Sequence, residues 1–202
     1  MDVREYITEN ILIFDGAMGT MLQEAGLKAG GLPEVYNAEH PDIVRAIHKK
    51  YVEAGADVVT ANTFQANALK LKNSGYTPEE LITAAVRLAK ESGAKYVALD
   101  IGPLGQLMRP MGTLRFEMAY DLFRQQIAAG VEAGADILLF ETMSDLLEVK
   151  AGVLAAREYC DLPVFVSMTY QEDGRTFVGV DPVSAALTLS GLGVDVLGVN
   201  CS

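Results

Sequence analysis

Two copies of the segment Glu-Ala-Gly-Ala-Asp constrain the fold of this chain more than any other feature of its sequence. Tyr51–Phe64 reads YVEAGADVVTANTF, and Gly130–Met143 reads GVEAGADILLFETM. In both copies, helix-forming residues lead to a glycine that suits the left-handed conformation at a helix C-terminus. An unbroken aliphatic run follows, as in a parallel strand that is covered on both faces. The repeat therefore predicts two equivalent helix–strand units.

The same order of elements recurs along the chain, which predicts an α/β fold built on a parallel sheet. The predicted strands are Ile11–Asp15, Asp57–Ala61, Tyr96–Asp100, Asp136–Glu141, Pro163–Met168 and Asp195–Val199. The predicted helices between them are Pro41–Ala54, Pro78–Ser92, Phe116–Ala133, Leu146–Tyr159 and Asp181–Ser190.

The spacing of these strands, roughly 30–45 residues, is typical of a (β/α)₈ TIM barrel with inserted loops. A doubly wound sheet is the competing topology, but the segment DGAMGTML after the first strand lacks the Gly-x-Gly-x-x-Gly spacing of its nucleotide loop. A complete barrel needs eight strands and about 250 residues. We therefore expect residues 1–202 to form one barrel domain, truncated at the C-terminal end after about six β-α units.

Charge and hydropathy exclude several classes of partner. The chain has 27 acidic against 16 basic residues and a net charge of −11, so nothing in it would neutralise a nucleic-acid backbone. No apolar run has the length of a signal peptide or a membrane span. Two cysteines are too few for a disulfide framework, which makes the cytoplasm the expected compartment.

Polar residues follow every predicted strand. In a barrel the carboxyl ends of the strands form the active face, so these side chains should meet in one mouth. They are Asp15 and Gly16; Thr60 and Asn62; Asp100; Glu141; Ser167 and Thr169; and Asn200 and Cys201.

Each of these residues also has a plain structural interpretation. Asp15 could cap the next helix, and Asp100 could hold the Gly-Pro loop through main-chain N–H groups. Glu141 emerges from an apolar strand, where a carboxylate must be paired or face a ligand. Cys201 alone could be a small buried hydrophobe, a nucleophile or one metal ligand. His40 and His48 have no partner at ligand spacing and are interpreted as structural.

Several long segments resemble one enzyme family, the homocysteine S-methyltransferases. The resemblance is greatest to the homocysteine-binding modules of the cobalamin-dependent members, and it runs from about Ile11 to the last residue. The matching segments are ILIFDGAMGTMLQ, NAEHPDIVRAIHKKYVEAGADVVTANTFQAN, DIGPLGQLMRPMG, FETMSDLLEVKAGVLAAR and LGVNCS.

The resemblance implies a fold, a substrate and a metal. In the family, a (β/α)₈ barrel holds zinc in three cysteine thiolates; the first matches Cys201, and the Gly-Gly-Cys-Cys motif that carries the other two is absent here. The family's residues for the amino-acid part of homocysteine map onto Asp15, Gly16 and Glu141. A helix beginning near Ala17 suits the substrate carboxylate.

The implied reaction is methylation of homocysteine to methionine, with the thiol activated on zinc. The methyl donor could be methylcobalamin carried on another domain, or a small sulfonium or ammonium compound. Thr60, Asn62 and Asn200 are the further candidate substrate-binding residues, and no catalytic acid or base is assigned. We expect residues 1–202 alone to be inactive, because two zinc ligands are missing.

Two alternatives stay open at this point. The first is a catalytically incomplete barrel fragment that only binds an amino acid or serves as a scaffold. The second is an unrelated barrel lyase or aldolase that uses the carboxylates as acid and base. The absence of a lysine at any strand end argues against a Schiff-base aldolase.

Overall fold

The computed structural model describes residues 2–202, in which four helices precede the first strand and helices and parallel strands alternate from there on. The strands are β1 (Val58–Thr60), β2 (Tyr96–Ile101), β3 (Ile137–Met143), β4 (Val164–Met168) and β5 (Val196–Val199). The helices are α1 (Val3–Glu9), α2 (Met18–Glu24), α3 (Tyr36–Glu39), α4 (Pro41–Glu53), α5 (Pro78–Lys90), α6 (Phe116–Glu132), α7 (Leu146–Tyr159) and α8 (Pro182–Gly191), with a 3₁₀ turn at Pro33–Val35.

All five strands belong to one parallel sheet in the order β1-β2-β3-β4-β5. Each strand pairs with the next one in sequence, for example Val58 with Tyr96 and Phe165 with Val196. Sequential parallel neighbours joined by helices are the arrangement of a β/α barrel. The predicted α/β fold class is thereby confirmed, and five of the six predicted strands form.

The first predicted strand, Ile11–Asp15, forms only an isolated bridge between Phe14 and Val58. The carbonyl of Ile13 accepts from both Asp57 and Val58, and the side chain of Asp57 accepts from the main-chain N–H of Ile13. The carboxylate of Asp57 thus accepts a hydrogen bond that a main-chain carbonyl would accept in a regular β-ladder. The segment still runs alongside β1, because the N–H of Asp15 donates to the carbonyl of Val58 at 2.9 Å.

The two faces of the sheet pack against different partners. Residues on the convex face, such as Leu99 and Phe140, are buried against α5, α6 and α7. This contact is close: a Cβ on Gly130 would lie 2.4 Å from Leu99, and one on Gly152 would lie 2.4 Å from Phe140. Glycine at both positions therefore lets the helices α6 and α7 approach the sheet.

The concave face curls around a second apolar cluster. The ring of Phe14, next to β1, lies 6.2 Å from the ring of Phe165 on β4, so the sheet bends back toward its own start. Val3 and neighbouring residues of α1 belong to this cluster or pack against it. Arg4 fixes α1 there by donating to Asp195 at 2.6 Å.

The sheet is open within residues 2–202, since β1 and β5 are not paired with each other. Leu197 and Val199 of β5 are 38% and 61% exposed, and Val183 and Leu187 of α8 are also exposed. Over the same residues, no helix has the length and hydropathy to cross a membrane.

Candidate functional site

A cavity of about 790 Å³ opens at the carboxyl ends of the strands. The proposed substrate and metal residues line it, namely Asp15, Gly16, Ala17, Thr60, Asn62, Glu141, Asn200 and Cys201, together with the strand-end residues Asp100 and Ser167. Parallel strands end at the same edge of a sheet, which explains why residues so far apart in sequence converge here. Thr169 is the exception: it does not line the cavity, and its hydroxyl donates to the carbonyl of Asn200.

Asp15 is held in the cavity wall by Thr60. The main-chain N–H of Thr60 lies 3.0 and 3.1 Å from the two carboxylate oxygens, and its hydroxyl donates at 2.9 Å. Burial raises the pKa of Asp15 to about 6, with a smaller contribution from the charge of Glu141, while the hydrogen bonds from Thr60 oppose the increase. Asp15 is therefore a buried carboxylate that still ionises near neutral pH.

Gly16 and Ala17 lie between Asp15 and α2. A Cβ at Gly16 would lie 2.9 Å from the ring of Tyr51, so only glycine lets the main chain pass this ring undisturbed. The hydroxyl of Tyr51 donates to the carbonyl of Ala17 at 3.2 Å. Ala17 is the N-cap of α2 and offers no side-chain cap, which leaves the first N–H groups of the helix free of a side-chain partner.

Glu141 occupies an irregular part of β3. The pairing between β3 and β4 shifts register between Phe140 and Met143, and Thr142 has a φ of 58°. A β-branched residue with positive φ is a genuine outlier, and such strain concentrates at functional sites. A bulge of this kind re-aims side chains at a strand end. Burial raises the pKa of Glu141, which lines the cavity.

Asn200 connects β3, β4 and the end of β5. Its side-chain oxygen accepts from the N–H of Thr142 at 3.0 Å and from the hydroxyl of Ser167 at 2.9 Å. Its side-chain nitrogen donates to the Thr142 hydroxyl at 2.8 Å and to Glu141 at 3.4 Å. Asn200 thereby fixes the bulge that carries Glu141.

Cys201 follows Asn200 and is exposed at the cavity mouth, with a φ of 52°. Its sulfur lies 3.8 Å from the side-chain nitrogen of Asn200 and 3.9 Å from the hydroxyl of Thr142. No three His, Cys, Asp or Glu side chains of residues 2–202 form a group that could hold a metal ion. The other cysteine, Cys160, lies at the C-terminus of α7, away from the strand ends.

Asn62 lines the cavity but directs its amide nitrogen into the wall. That nitrogen donates to the carbonyl of Pro33 at 2.8 Å and to the side chain of Asn37 at 3.0 Å. Asn62 is 5% exposed, and Asn37 in turn donates to its carbonyl. The contacts within residues 2–202 thus give Asn62 a role in holding the Pro33 turn beside the cavity.

Glu34 is a cavity residue that the sequence did not reveal. It lies in the 3₁₀ turn, is 1% exposed and accepts from the main-chain N–H of Gln65 at 2.7 Å, while its Oε2 has no partner among the described residues. Burial raises its pKa. A turn outside the strand–helix pattern carries no periodic signal, so only the charge between apolar neighbours could have indicated it.

His48, interpreted from the sequence as structural, lies behind Asp15. It is fully buried on α4, and its Nδ1 lies 4.0 Å from the Asp15 carboxylate. Burial lowers the pKa of His48 to about 4, so the imidazole is neutral at pH 7. His48 therefore adds no positive charge to the site.

All the ionisable Asp, Glu, Lys, Arg and His residues that line the cavity are acidic. Asp15, Glu34, Asp100 and Glu141 line it, and none of its lining residues within 2–202 is lysine, arginine or histidine. Uncompensated carboxylates in a low-dielectric site favour a ligand that brings positive charge. A small molecule with an ammonium group meets this requirement.

Fold and site together define a β/α-barrel-type protein with a small-molecule pocket at the carboxyl ends of its strands. The chain belongs to the homocysteine S-methyltransferase family, whose profile matches residues 12–202. The family resemblance of the sequence is thereby confirmed.

Among its relatives, the methionine synthase of Mycobacterium leprae is 33% identical over 225 residues, and the match covers all of this chain but 18% of that protein. Betaine–homocysteine S-methyltransferase 1 of Danio rerio is 30% identical, over 95% of this chain and 48% of the relative. In fold, the chain is similar to the homocysteine methyltransferase MmuM of Escherichia coli in its metallated form, with a TM-score of 0.87, 24% identity, and coverage of 98% of this chain and 77% of that one. The chain thus spans about a fifth of the methionine synthase and half of the betaine enzyme.

Proposed function

We propose that this chain binds homocysteine and serves a methionine-forming methyltransferase of the methionine synthase type. One observation carries the proposal: Asp15 and Glu141 share a cavity with the thiol of Cys201, and no basic side chain of residues 2–202 lines that cavity. An amino acid with a thiol at the end of its side chain suits such a site. Membership of the family supports homocysteine as that amino acid.

In this proposal the two carboxylates bind the ammonium group of homocysteine. Asp15, held by Thr60, and Glu141, held by Asn200, approach the cavity from separate strand ends. The substrate carboxylate lies against the main chain of Gly16 and Ala17, where the start of α2 presents N–H groups. Asn62 keeps the opposite wall in place through Pro33.

The substrate sulfur points toward Cys201 at the mouth. The family resemblance implies a zinc ion with three thiolates there, but residues 2–202 place a single thiol at this position and no metal-binding group. These residues alone do not fit a zinc site, so we assign no step to the metal. They bind and orient homocysteine; its thiol loses its proton to solvent, and its sulfur takes the methyl group from the donor, which leaves with the electron pair of the broken bond to the methyl carbon.

The similarity to methionine synthase supports methylcobalamin on a separate domain as the donor. A small sulfonium or ammonium donor is the alternative, supported by the similarity to betaine–homocysteine S-methyltransferase. The cysteine usage keeps the cytoplasm as the expected compartment.

Calorimetry tests the binding step with two ligands that differ only in the amino group, homocysteine and 4-mercaptobutyrate. We expect the protein to bind homocysteine and not 4-mercaptobutyrate. The Glu141→Gln and Asp15→Asn variants should each lose about ten-fold or more in affinity, the size of a charge-assisted hydrogen bond. Glu148→Gln is the matched control, a buried carboxylate on α7 that does not line the cavity. Undiminished affinity in Glu141→Gln would contradict the assignment.

The single thiol favours a second candidate function, a fragment that binds the amino acid without catalysing its methylation. The two candidates differ in turnover. Methionine formation from homocysteine and methylcobalamin, measured after zinc loading with the protein as its source organism makes it, supports the enzyme; homocysteine binding without turnover in that protein supports the binding fragment.

A further inference from the structure

Asp100 and Glu34 are the two cavity carboxylates to which the proposed function gives no role, and Asp100 is the one that lies in the sheet. It lies near the end of β2, is 8% exposed and lines the cavity beside Asp15 and Glu141. In the sheet it pairs with Leu139 of β3, two residues before Glu141. Its position therefore places a third carboxylate between the two that the proposal already uses.

The Oδ1 atom of Asp100 is buried and has no hydrogen-bond partner among residues 2–202. The main chain of the same residue is satisfied, since its N–H donates to the Thr63 hydroxyl and its carbonyl accepts from that hydroxyl. A buried carboxylate oxygen without a donor is costly. Nothing in the surrounding strands relieves this cost, so the missing donor has to come from a proton or a ligand.

The neighbouring carboxylates are already occupied in part. Both oxygens of Asp15 accept from Thr60, and Glu141 accepts from Asn200. Among the described residues, Asp100 Oδ1 and Glu34 Oε2 are therefore the buried carboxylate oxygens of the cavity that lack a donor, and Asp100 is the one on β2, next to the strand that carries Glu141. An ammonium group carries three N–H donors, so one of them remains for a further acceptor after Asp15 and Glu141 have each taken one.

The charge balance supports the same conclusion. Burial, followed by the charges of Glu141, Glu34 and Asp15, raises the pKa of Asp100 well above its usual range. A ligand cation in the cavity would favour the ionised form. Among residues 2–202, no three Asp, Glu, His or Cys side chains form a group that could hold a metal ion. A molecular cation therefore suits the cavity better than a metal ion does.

We propose that Asp100 accepts the third N–H of the substrate ammonium and thereby selects amino acids whose α-amino group is unsubstituted. This inference rests on the proposed function, because it takes the ammonium of homocysteine as the ligand group. An N-methyl group would replace one N–H and place a methyl carbon against a buried carboxylate. Such a substitution leaves Asp100 without its donor and adds a steric conflict.

Calorimetry with homocysteine and N-methylhomocysteine on the wild type and Asp100→Asn tests the inference. We expect Asp100→Asn to bind homocysteine about ten-fold or more weakly, as expected for loss of a charge-assisted hydrogen bond. We also expect the preference for homocysteine over N-methylhomocysteine to shrink by a similar factor in this variant. Glu148→Gln, outside the cavity, should leave both affinities unchanged.

A stability measurement separates binding from folding. Asp100→Asn replaces an unsatisfied buried carboxyl group with a neutral one, so its urea midpoint at pH 8 should equal or exceed that of the wild type. A lower midpoint together with an unchanged ligand preference would assign Asp100 a structural role and overturn the inference.

The outcomes for the two proposals are distinct. If Glu141→Gln loses affinity while Asp100→Asn binds both ligands like the wild type, the role of Asp100 is wrong and the proposed function stands. If the wild type does not bind homocysteine, the proposed function fails, and the inference fails with it.

Discussion

Thr60 turns both of its donors toward Asp15: its N–H lies 3.0 Å and its hydroxyl 2.9 Å from the same carboxylate oxygen. These hydrogen bonds join the segment that ends at Asp15 to the end of β1, where Thr60 lies. They also favour the charged form of Asp15 against the burial that raises its pKa to about 6. The ionisation of Asp15 in the free protein therefore depends on Thr60.

Replacing Thr60 with valine removes the hydroxyl and keeps the main-chain donor. Loss of a hydrogen bond to the charged form raises the pKa of Asp15 above about 6. Since an ammonium ligand requires ionised Asp15, homocysteine affinity should fall as pH drops through this pKa, and in Thr60→Val the fall should begin at a higher pH. Calorimetry from pH 5.5 to pH 8 measures the shift. Thr60→Ser retains the hydroxyl and should follow the wild type; identical profiles for valine and wild type would contradict the prediction.

Asn200→Ala should destabilise the protein and weaken the site together. The substitution leaves the N–H of Thr142 and the hydroxyl of Ser167 without their acceptor, at a cost of about 1–3 kcal/mol in unfolding free energy. It also frees the strained Thr142, so Glu141 loses its fixed position. Urea unfolding and homocysteine calorimetry measure the two effects. The exposed Asn73, replaced with alanine, is the control and should change neither; a normal affinity in Asn200→Ala would show that the bulge holds itself.

Parallel strands end at the same edge of a sheet, and this rule explains how much of the site the sequence could predict. Asp15, Glu141 and Cys201 follow apolar runs that the sequence shows plainly, and parallel strands must bring such ends together. The rule is independent of detailed packing, which is why residues separated by 186 positions in the sequence, Asp15 and Cys201, line one cavity.

Two features of the site, the bulge at Thr142 and the position of Glu34, depend on tertiary contacts that the sequence does not show. Thr142, which has a positive φ and lies at the register shift after Phe140, is hydrogen-bonded to Asn200, 58 residues beyond it in the sequence. Glu34 lies in the cavity wall, where its side chain accepts from the main-chain N–H of Gln65. No helical or strand periodicity in the sequence indicates this position. Local pattern carries no information on contacts of this range.

The first predicted strand illustrates the same limit. The run ILIFD has a strand composition, yet Ile11 and Ile13 are 86% and 53% exposed and the pairing is a single bridge. The prediction of a regular strand was wrong, although the segment does run beside β1. Hydropathy could not predict that the side chain of Asp57 would take the N–H of Ile13.

Glu148 provides a prediction outside the cavity. It is buried on α7 and accepts from the N–H of Leu104 at 2.8 Å, and burial raises its pKa to about 7. The folded state therefore keeps a proton on Glu148 between its unfolded pKa and about pH 7, where the unfolded chain has lost it. This group favours folding at low pH, and its contribution is lost as pH rises through that window.

Glu148→Gln should remove this dependence, since an amide can still accept from Leu104 and never ionises. Relative to the wild type, its free energy of unfolding should increase by about 3 kcal/mol between pH 4 and pH 8. Urea unfolding of both proteins at several pH values measures the difference. A difference that stays constant with pH would show that Glu148 ionises alike in the folded and unfolded states.

Gly16 and Gly19 form a matched pair at the entrance of α2. A Cβ at Gly19 meets nothing within 4 Å, so Gly19→Ala should stabilise the protein by about 0.5–1 kcal/mol through helix propensity. A Cβ at Gly16 would lie 2.9 Å from the ring of Tyr51, so Gly16→Ala should push that ring away and cost about 1–3 kcal/mol.

The ring displacement would also break the hydrogen bond from Tyr51 to the carbonyl of Ala17. A double-mutant cycle isolates this contact: with Tyr51 replaced by alanine, the clash partner is gone and Gly16→Ala should cost little. Urea unfolding of the four proteins gives the coupling free energy. An equal cost of Gly16→Ala in both backgrounds would mean that the main-chain conformation at Gly16, and not the approach of Tyr51, requires glycine there.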